Sequence, residues 1–215
     1  MKYKAVLYDM DGTVLDTLAD LTDAVNHALA EFNMPRRSAE DVRRNLGNGA
    51  RRLIEGLVPA GTDEAVTARV LAAYMPYYDA HCRIKTAPYD GICALMRRLN
   101  AAGVKQAVIS NKPDPAVREL AEVFFPGLLE LAVGESAAAR RKPSPDMVEA
   151  AAQQMGVALG ECVYVGDSEV DIATAKHAKL DCISVTWGFR SAQELLAAGA
   201  EQLAANVDEL YALLK

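Results

Sequence analysis

Short apolar runs alternate along the chain with longer amphipathic stretches. Five runs rich in Val, Ile and Tyr predict strands over residues 3–8, 104–109, 129–133, 162–165 and 182–186. The amphipathic stretches predict helices over residues 113–124, 144–156, 168–178 and 206–214. Because the apolar runs show little alternation, they suit a parallel sheet that is buried on both faces. Strands and helices in this order predict an α/β fold with a doubly wound, Rossmann-like parallel sheet.

A helical insertion interrupts this rhythm after the first predicted strand. Between Asp11 and Val104 no apolar run predicts another strand. Apolar residues recur there at steps of three and four, as on one face of a helix: Leu18, Leu21, Val25, Leu29 and Phe32. The sequence therefore predicts two domains, a core of residues 1–15 and 83–215 and an inserted α-helical cap of residues 16–82.

Composition and charge narrow the function classes. Of the 215 residues, 51% are hydrophobic and 24% are charged, which is typical of a folded globular protein and excludes extensive disorder. The net charge of −6 argues against a nucleic-acid partner, since sequence-independent binding needs a basic surface. The charge does not exclude an anionic substrate, because a metal ion and a few local cations can reverse the field inside one site.

Targeting signals and cysteine spacing give further expectations. The first predicted strand begins at residue 3, which leaves no room for a signal peptide, and no apolar run approaches the roughly 20 residues that cross a bilayer. The cysteines show neither C-x-x-C nor zinc-finger spacing: Cys82, Cys93, Cys162 and Cys182. We therefore expect reduced thiols and a cytoplasmic protein, monomeric or homodimeric, without a membrane partner.

Two carboxylates follow the first predicted strand. Asp9 and Asp11 are two residues apart, so in extended chain both side chains point the same way. Gly12 permits a tight turn, and open α/β sheets bind ligands at the carboxyl ends of their strands. One carboxylate can attack phosphorus, while the other protonates the leaving oxygen and later deprotonates water. A bridging Mg²⁺ would remove the repulsion between these carboxylates and a phosphate.

A D-x-D-G segment alone is also typical of a surface turn. The later strand ends, however, supply the other groups that this chemistry needs: Ser110, Asn111, Lys142, Asp167, Ser168 and Asp171. Each of these groups has a simpler interpretation, as a strand-ending cap, a solvated loop charge or a helix N-cap. Their joint occurrence at the strand ends of one predicted parallel sheet favours a single site for a phosphate and a metal ion.

The chain resembles the phosphatases of the haloacid dehalogenase superfamily that carry a helical cap. The resemblance rests on four segments: Asp9-Met10-Asp11-Gly12-Thr13, Ser110-Asn111, Lys142-Pro143, and Gly166-Asp167-Ser168 through Asp171. It covers nearly the whole chain, including an insertion between the first and second motifs. It implies that Asp9 is the nucleophile and that Asp11 is the general acid and base.

The same resemblance implies a set of ligands. Ser110 and Lys142 would bind the phosphate, and we group the neighbouring Asn111 with them. Mg²⁺ would be held by Asp9, by the backbone carbonyl of Asp11 and by Asp167. The side chains of Ser168 and Asp171 would support these metal ligands from behind.

Several segments look most like phosphoglycolate phosphatases, although residues 187–190 read Trp-Gly-Phe-Arg where those enzymes often carry Tyr-Gly-Tyr-Asn. We therefore expect Mg²⁺-dependent hydrolysis of a small phosphorylated metabolite, first of all 2-phosphoglycolate, through a phospho-aspartate. A β-phosphoglucomutase and an inorganic pyrophosphatase are alternatives within the superfamily. A non-catalytic, receiver-like phosphorylation-sensing module is an alternative of another class, although such modules are about half this length.

The predicted cap offers a contact for the substrate's other end. Gly47, Asn48 and Gly49 predict a flexible turn, and Arg51 follows it. Backbone amides and a guanidinium suit a small carboxylate. The alternative is that Arg51 lies in the solvent-exposed first turn of a helix and contacts no substrate. Trp187 and Phe189 follow a predicted strand end, where they could line the mouth of the site or pack in the core.

Overall fold

The computed structural model describes residues 1–137 and 139–215, in two units. The first unit contains Met1–Leu15 and Pro88–Lys215, and the second contains Asp16–Ala87. The chain returns to the first unit at Pro88, whereas the sequence predicted this boundary at residue 83. Residues beyond it stay with the second unit because the backbone N–H groups of Lys85 and Thr86 donate to the buried carboxylate of Asp20.

A six-stranded sheet forms the centre of the first unit. Its strands lie in the order β5-β4-β1-β6-β7-β8, and every pairing is parallel. The bounds are Ala5–Tyr8 for β1, Lys105–Pro113 for β4, Leu131–Glu135 for β5, Cys162–Gly166 for β6, Asp181–Val185 for β7 and Leu203–Ala204 for β8. The predicted doubly wound α/β fold is confirmed. β8 was not predicted, because two residues are too few to form a pattern.

Helices flank this sheet. They are α5 (Ile92–Ala101), α6 (Asp114–Phe124), α7 (Asp146–Met155), α8 (Glu169–Ala178), α9 (Ala192–Ala197) and α10 (Val207–Leu214), with a short 3-10 helix at Leu159–Glu161. On one side of the sheet, Leu7 and Ile109 share a buried cluster with Met147, Ala151 and Ala175. Every residue of β1 and β6 is buried, which explains why these two central strands carry no charged residue.

The second unit is helical. Its helices are α1 (Leu18–Glu31), α2 (Ala39–Arg44), α3 (Gly49–Leu57) and α4 (Glu64–His81), and the two-residue strands β2 (Leu15–Asp16) and β3 (Ala87–Pro88) lie at the crossing points. The apolar face predicted from Leu21, Val25 and Leu29 is buried on α1. Ser38 and Asp41 form a reciprocal capping box at the start of α2. No helix in the described part of the chain is long and apolar enough to cross a membrane.

A buried polar network links β1 to α5. The hydroxyl of Tyr8 donates to Gln106 Oε1 at 3.0 Å, and Gln106 Nε2 donates to Met96 O at 2.9 Å and to Asn100 Oδ1 at 2.6 Å. Because Tyr8 and Gln106 are fully buried, water cannot replace any of these partners.

We predict that Tyr8→Phe lowers the free energy of unfolding by about 1–2 kcal/mol, since it leaves Gln106 Oε1 buried without its donor. Urea unfolding followed by circular dichroism measures this change. Tyr211→Phe is the matched control, because the Tyr211 hydroxyl has no hydrogen bond to any described residue. A Tyr8→Phe loss no larger than that of the control would contradict the prediction.

Candidate active site

The candidate site lies at the carboxyl edge of the sheet, where β1, β4 and β6 end side by side. Asp9 directly follows β1, and its backbone N–H donates to Val165 O of β6 at 2.9 Å. Asp167 directly follows β6. β4 continues past its predicted end at residue 109, so Ser110 and Asn111 lie within the strand. Parallel pairing of these three strands therefore brings the predicted residues of three motifs to one edge.

Three buried carboxylates gather there. Asp9, Asp167 and Asp171 each offer an oxygen, and these oxygens lie within 4.8 Å of one another. Asp11 is not a member of this group. One of its carboxylate oxygens lies 3.0 Å from Lys112 Nζ instead.

The ammonium of Lys142 lies among the buried acids. Its three hydrogens face three acceptors, with Nζ 2.9 Å from Asp9 Oδ1, 2.8 Å from Asp171 Oδ1 and 2.9 Å from the Tyr164 hydroxyl. Burial opposes the charged form, but Asp171 and Asp9 outweigh it and hold the pKa of Lys142 well above its ordinary value. Lys142 is therefore a permanent cation in contact with the predicted nucleophile.

Burial and mutual repulsion oppose the ionisation of the clustered carboxylates. Burial, partly opposed by Lys142, raises the pKa of Asp9 to about 7. Burial also raises the pKa of Asp167 well above its ordinary value, with Asp171 and Asp9 adding repulsion. The cluster contains three carboxylates and one ammonium, so a divalent cation would bring the fully ionised cluster to neutrality.

Asp171 has both oxygens committed to hydrogen bonds. Oδ1 accepts from Lys142 Nζ, while Oδ2 accepts from the Ser168 hydroxyl at 2.6 Å and from the backbone N–H groups of Ser168 and Asp167 at 3.1 and 3.2 Å. These contacts fix the loop that carries Asp167 and orient Lys142. The supporting role that the resemblance implies for Ser168 and Asp171 stays a prediction.

Gly12 has a backbone conformation that this site requires. Its φ of +82° lies in the left-handed region, and a Cβ atom there would be 2.3 Å from Asp167 Oδ2. The turn after Asp11 can therefore lie against Asp167 only with glycine at this position.

Ser110 and Asn111, the two residues of β4 that we grouped with the phosphate ligands, differ in their contacts. Ser110 is buried, and its Oγ accepts from Lys112 N at 3.3 Å, while its hydroxyl hydrogen has no acceptor among the described residues. Asn111 instead uses both ends of its amide on the backbone of Lys142: Nδ2 donates to Lys142 O at 2.9 Å, and Oδ1 accepts from Lys142 N at 2.8 Å. The Asn111 side chain, which we grouped with the phosphate ligands, thus fixes the loop that carries Lys142.

Lys112, Tyr164 and Thr13 had no role predicted from the sequence. Lys112 is buried against Asp11, and Tyr164 holds Lys142 while donating to Ile109 O at 3.1 Å. Thr13 donates to Asp167 Oδ1 at 2.8 Å. All three lie within or next to the recognised motifs, which was the only signal available, since their partners come from distant parts of the chain.

The predicted cap contacts all belong to the second unit. Gly47 and Gly49 have positive φ angles, and Asn48 lies between them at the start of α3. Arg51 lies in the first turn of α3, 3.9 Å from Glu55, and lines a cavity of about 320 Å³ within this unit.

Comparisons with known proteins identify the family of the chain. Residues 3–179 match the model of the haloacid dehalogenase-like hydrolases. A phosphoglycolate phosphatase of Colwellia psychrerythraea is 31% identical over 99% of this chain and 97% of its own length. One of Pseudomonas putida is 32% identical over 98% of this chain and 78% of its own length.

A solved structure extends the similarity to three dimensions. The crystal structure of a candidate phosphoglycolate phosphatase from Lactobacillus delbrueckii subsp. bulgaricus is 39% identical, with a TM-score of 0.95 over 100% of this chain and 99% of that one. The site geometry, the family match and the full-length relatives agree, and the chain belongs to the haloacid dehalogenase-like hydrolase family.

Proposed function

We propose that this hydrolase is a Mg²⁺-dependent phosphomonoesterase that acts on a small phosphorylated metabolite through an aspartyl phosphate. The observation that carries the proposal is the contact of buried Asp9 with the buried ammonium of Lys142, 2.9 Å away, beside the carboxylate of Asp167. A nucleophile in this setting can attack an electrophilic phosphorus, and the cation offsets the charge of the incoming phosphate. The names of the relatives make 2-phosphoglycolate the first candidate substrate.

The residues present fit a magnesium ion. Asp9 and Asp167 are oxygen ligands of the kind that Mg²⁺ prefers, and the cluster carries two negative charges in excess when it is fully ionised. The backbone carbonyl of Asp11 would complete the protein's share of the ligands. When bound, the ion neutralises charge between the nucleophile and the phosphate and orients both.

The chain's own residues account for both halves of the reaction. An oxygen of Asp9 attacks phosphorus, and the bond from phosphorus to the ester oxygen breaks as Asp11 gives that oxygen a proton. In the second half, Asp11 takes a proton from water, which attacks the phosphorus of the aspartyl phosphate and releases inorganic phosphate and free Asp9. The Ser110 hydroxyl would donate to a phosphate oxygen throughout, and Lys142 would stabilise the charge on the Asp9 side.

The alternatives differ in the fate of the aspartyl phosphate. A mutase returns the phosphoryl group to a sugar, a pyrophosphatase takes inorganic pyrophosphate as its substrate, and a receiver-like module keeps the group without turnover. Membership of a hydrolase family argues against the receiver-like module. Release of phosphate from 2-phosphoglycolate, compared with pyrophosphate and β-glucose 1-phosphate, tests the remaining choices.

We further propose that the 47–49 turn and Arg51 select the substrate by its carboxylate. Arg51 has a side chain that is 55% exposed, and its ion pair with Glu55 is long at 3.9 Å. Such a pair is weak, so the guanidinium remains available to a second anion.

Replacing the nucleophile should abolish turnover. Asp9→Asn removes the attacking carboxylate and weakens a metal ligand, so we expect phosphate release below a few per cent of the wild-type rate, a rough threshold set by these two losses. The variant should stay folded, because it relieves repulsion in an acidic cluster, and its melting temperature checks this. Asp208→Asn, an exposed position on α10, is the control and should keep full activity. Substantial turnover by Asp9→Asn would overturn the nucleophile assignment.

Activity should depend on the divalent ion. Enzyme stripped with EDTA should release no phosphate, and Mg²⁺ should restore release. Ca²⁺ should restore it poorly, because it takes more ligands at longer distances and can occupy both oxygens of Asp9. Steady-state assays after metal analysis measure this. Full activity of protein verified to be metal-free would contradict the proposal.

Arg51→Ala should lower kcat/KM for 2-phosphoglycolate by roughly ten-fold, the scale of one charge-assisted contact. It should barely change kcat/KM for an aryl phosphate, whose leaving group carries no carboxylate. Arg52→Ala is the matched control, since Arg52 lies on the same helix and also pairs with Glu55. Equal losses on both substrates, or equal effects of the two variants, would refute a role for Arg51 in selectivity.

A further inference from the structure

We infer that the segment of residues 187–190, which we name the strap, positions Asp167 for cation binding and so sets the affinity of the site for Mg²⁺. The strap follows β7 and has the sequence Trp-Gly-Phe-Arg. This inference rests on the proposed metal site, but not on the identity of the ester that is hydrolysed.

The carboxylate of Asp167 is held from two sides. The backbone N–H of Phe189 donates to Oδ2 at 2.7 Å, and the Thr13 hydroxyl donates to Oδ1 at 2.8 Å. Each carboxylate oxygen has two lone pairs, so each keeps one for a cation after accepting its hydrogen bond. The strap and the turn after β1 therefore fix the orientation of Asp167 without consuming its capacity as a ligand.

Gly188 allows the strap to approach this closely. A Cβ atom at position 188 would lie 2.2 Å from the backbone oxygen of Gly12 and 2.5 Å from Asp167 Cβ and Oδ2. Atoms at such distances must move apart, and a backbone oxygen cannot move cheaply. Any side chain at position 188 would therefore push the Phe189 N–H away from Asp167.

The strap is fixed at both of its ends. The indole Nε1–H of Trp187 donates to Thr13 O at 3.0 Å, and Thr13 is the residue whose hydroxyl holds the other oxygen of Asp167. Arg190 donates from Nε and Nη2 to the two carboxylate oxygens of Glu169, at 2.9 and 3.1 Å, in the first turn of α8. Trp187 thus couples the two donors that orient Asp167.

Residues that orient a metal ligand set the metal affinity, and losing one such partner typically costs about 10- to 100-fold. We therefore assign Trp187 and Gly188 as positioning residues, acting on the cation through Asp167. This role of Trp187 differs from both expectations from the sequence, which were to line the mouth of the site or to pack in the core.

Metal binding without substrate tests this inference. The free Mn²⁺ signal in electron paramagnetic resonance, titrated with metal-stripped full-length protein and competed with Mg²⁺, gives dissociation constants without any turnover. Gly188→Ala should raise the dissociation constant at least about ten-fold. Gly160→Ala is the matched control, because a Cβ there meets no atom within 4 Å, and its affinity should equal that of the wild type. Asp167→Asn should abolish the same binding, which places the measured ion at this site.

A second variant protects the test against misfolding of Gly188→Ala. Trp187→Phe keeps an aromatic ring and loses only the N–H, and we expect it to weaken Mn²⁺ binding by roughly three- to ten-fold, the scale of one hydrogen bond. Ser191→Ala removes the N-cap of α9 just beyond the strap, so it should lower the melting temperature and leave metal affinity unchanged. If Ser191→Ala lost as much metal affinity as Trp187→Phe, the strap would act only by stabilising the fold, and the inference would be overturned.

The outcomes separate the inference from the proposed function. Wild-type affinity in both Gly188→Ala and Trp187→Phe, with hydrolysis intact, overturns the inference alone. Mn²⁺ binding that is lost in Asp167→Asn and weakened in the strap variants supports it, even if 2-phosphoglycolate is not hydrolysed and the proposed substrate fails. No Mn²⁺ binding by the wild type would overturn both the metal assignment and the inference.

Discussion

The buried ammonium of Lys142 is the contact on which the rest of the site depends. It joins Asp9 after β1 to Tyr164 on β6 and Asp171 on α8, so it connects two parts of the chain that lie far apart in sequence. Breaking such a group leaves carboxylates buried without a counter-charge, which is far more costly than losing a surface ion pair. The sheet order and the chemistry of the site are therefore stabilised by the same charges.

Apolar continuity explains how much of the fold could be predicted from the sequence. β1 and β6 are buried at every residue, so their apolar runs show no alternation and are easily found in the sequence. β8 contains two residues, and α9 contains six, so neither could form a readable pattern. The domain boundary at residue 83 preceded the observed crossing at Pro88, because the hydrogen bonds from Lys85 and Thr86 to Asp20 cross the unit and have no local signature.

In the candidate site, too, some features could be predicted from the sequence and others could not. Residue types at strand ends could be predicted, since strand direction and parallel pairing bring those ends to one edge. Partners could not be predicted: Asn111 has the right place for a phosphate ligand, yet its amide holds the backbone of Lys142. Gly188 gave no signal at all, because its requirement comes from the backbone of Gly12, which is distant in sequence and close only in the folded chain.

Two aspartates that are two residues apart have acquired different surroundings, and this difference separates their proposed tasks. Asp9 is buried with an excess of other carboxylates and one lysine, so its charge is compensated fully only when a cation is present. Asp11 has its own lysine, Lys112, and a side chain that is 19% exposed, so it can reach water and an ester oxygen. The first environment suits a nucleophile held against a metal ion, and the second leaves Asp11 partly exposed to solvent. The i, i+2 spacing places both carboxylates at the same strand end, while the groups packed around each of them give the two carboxylates different partners.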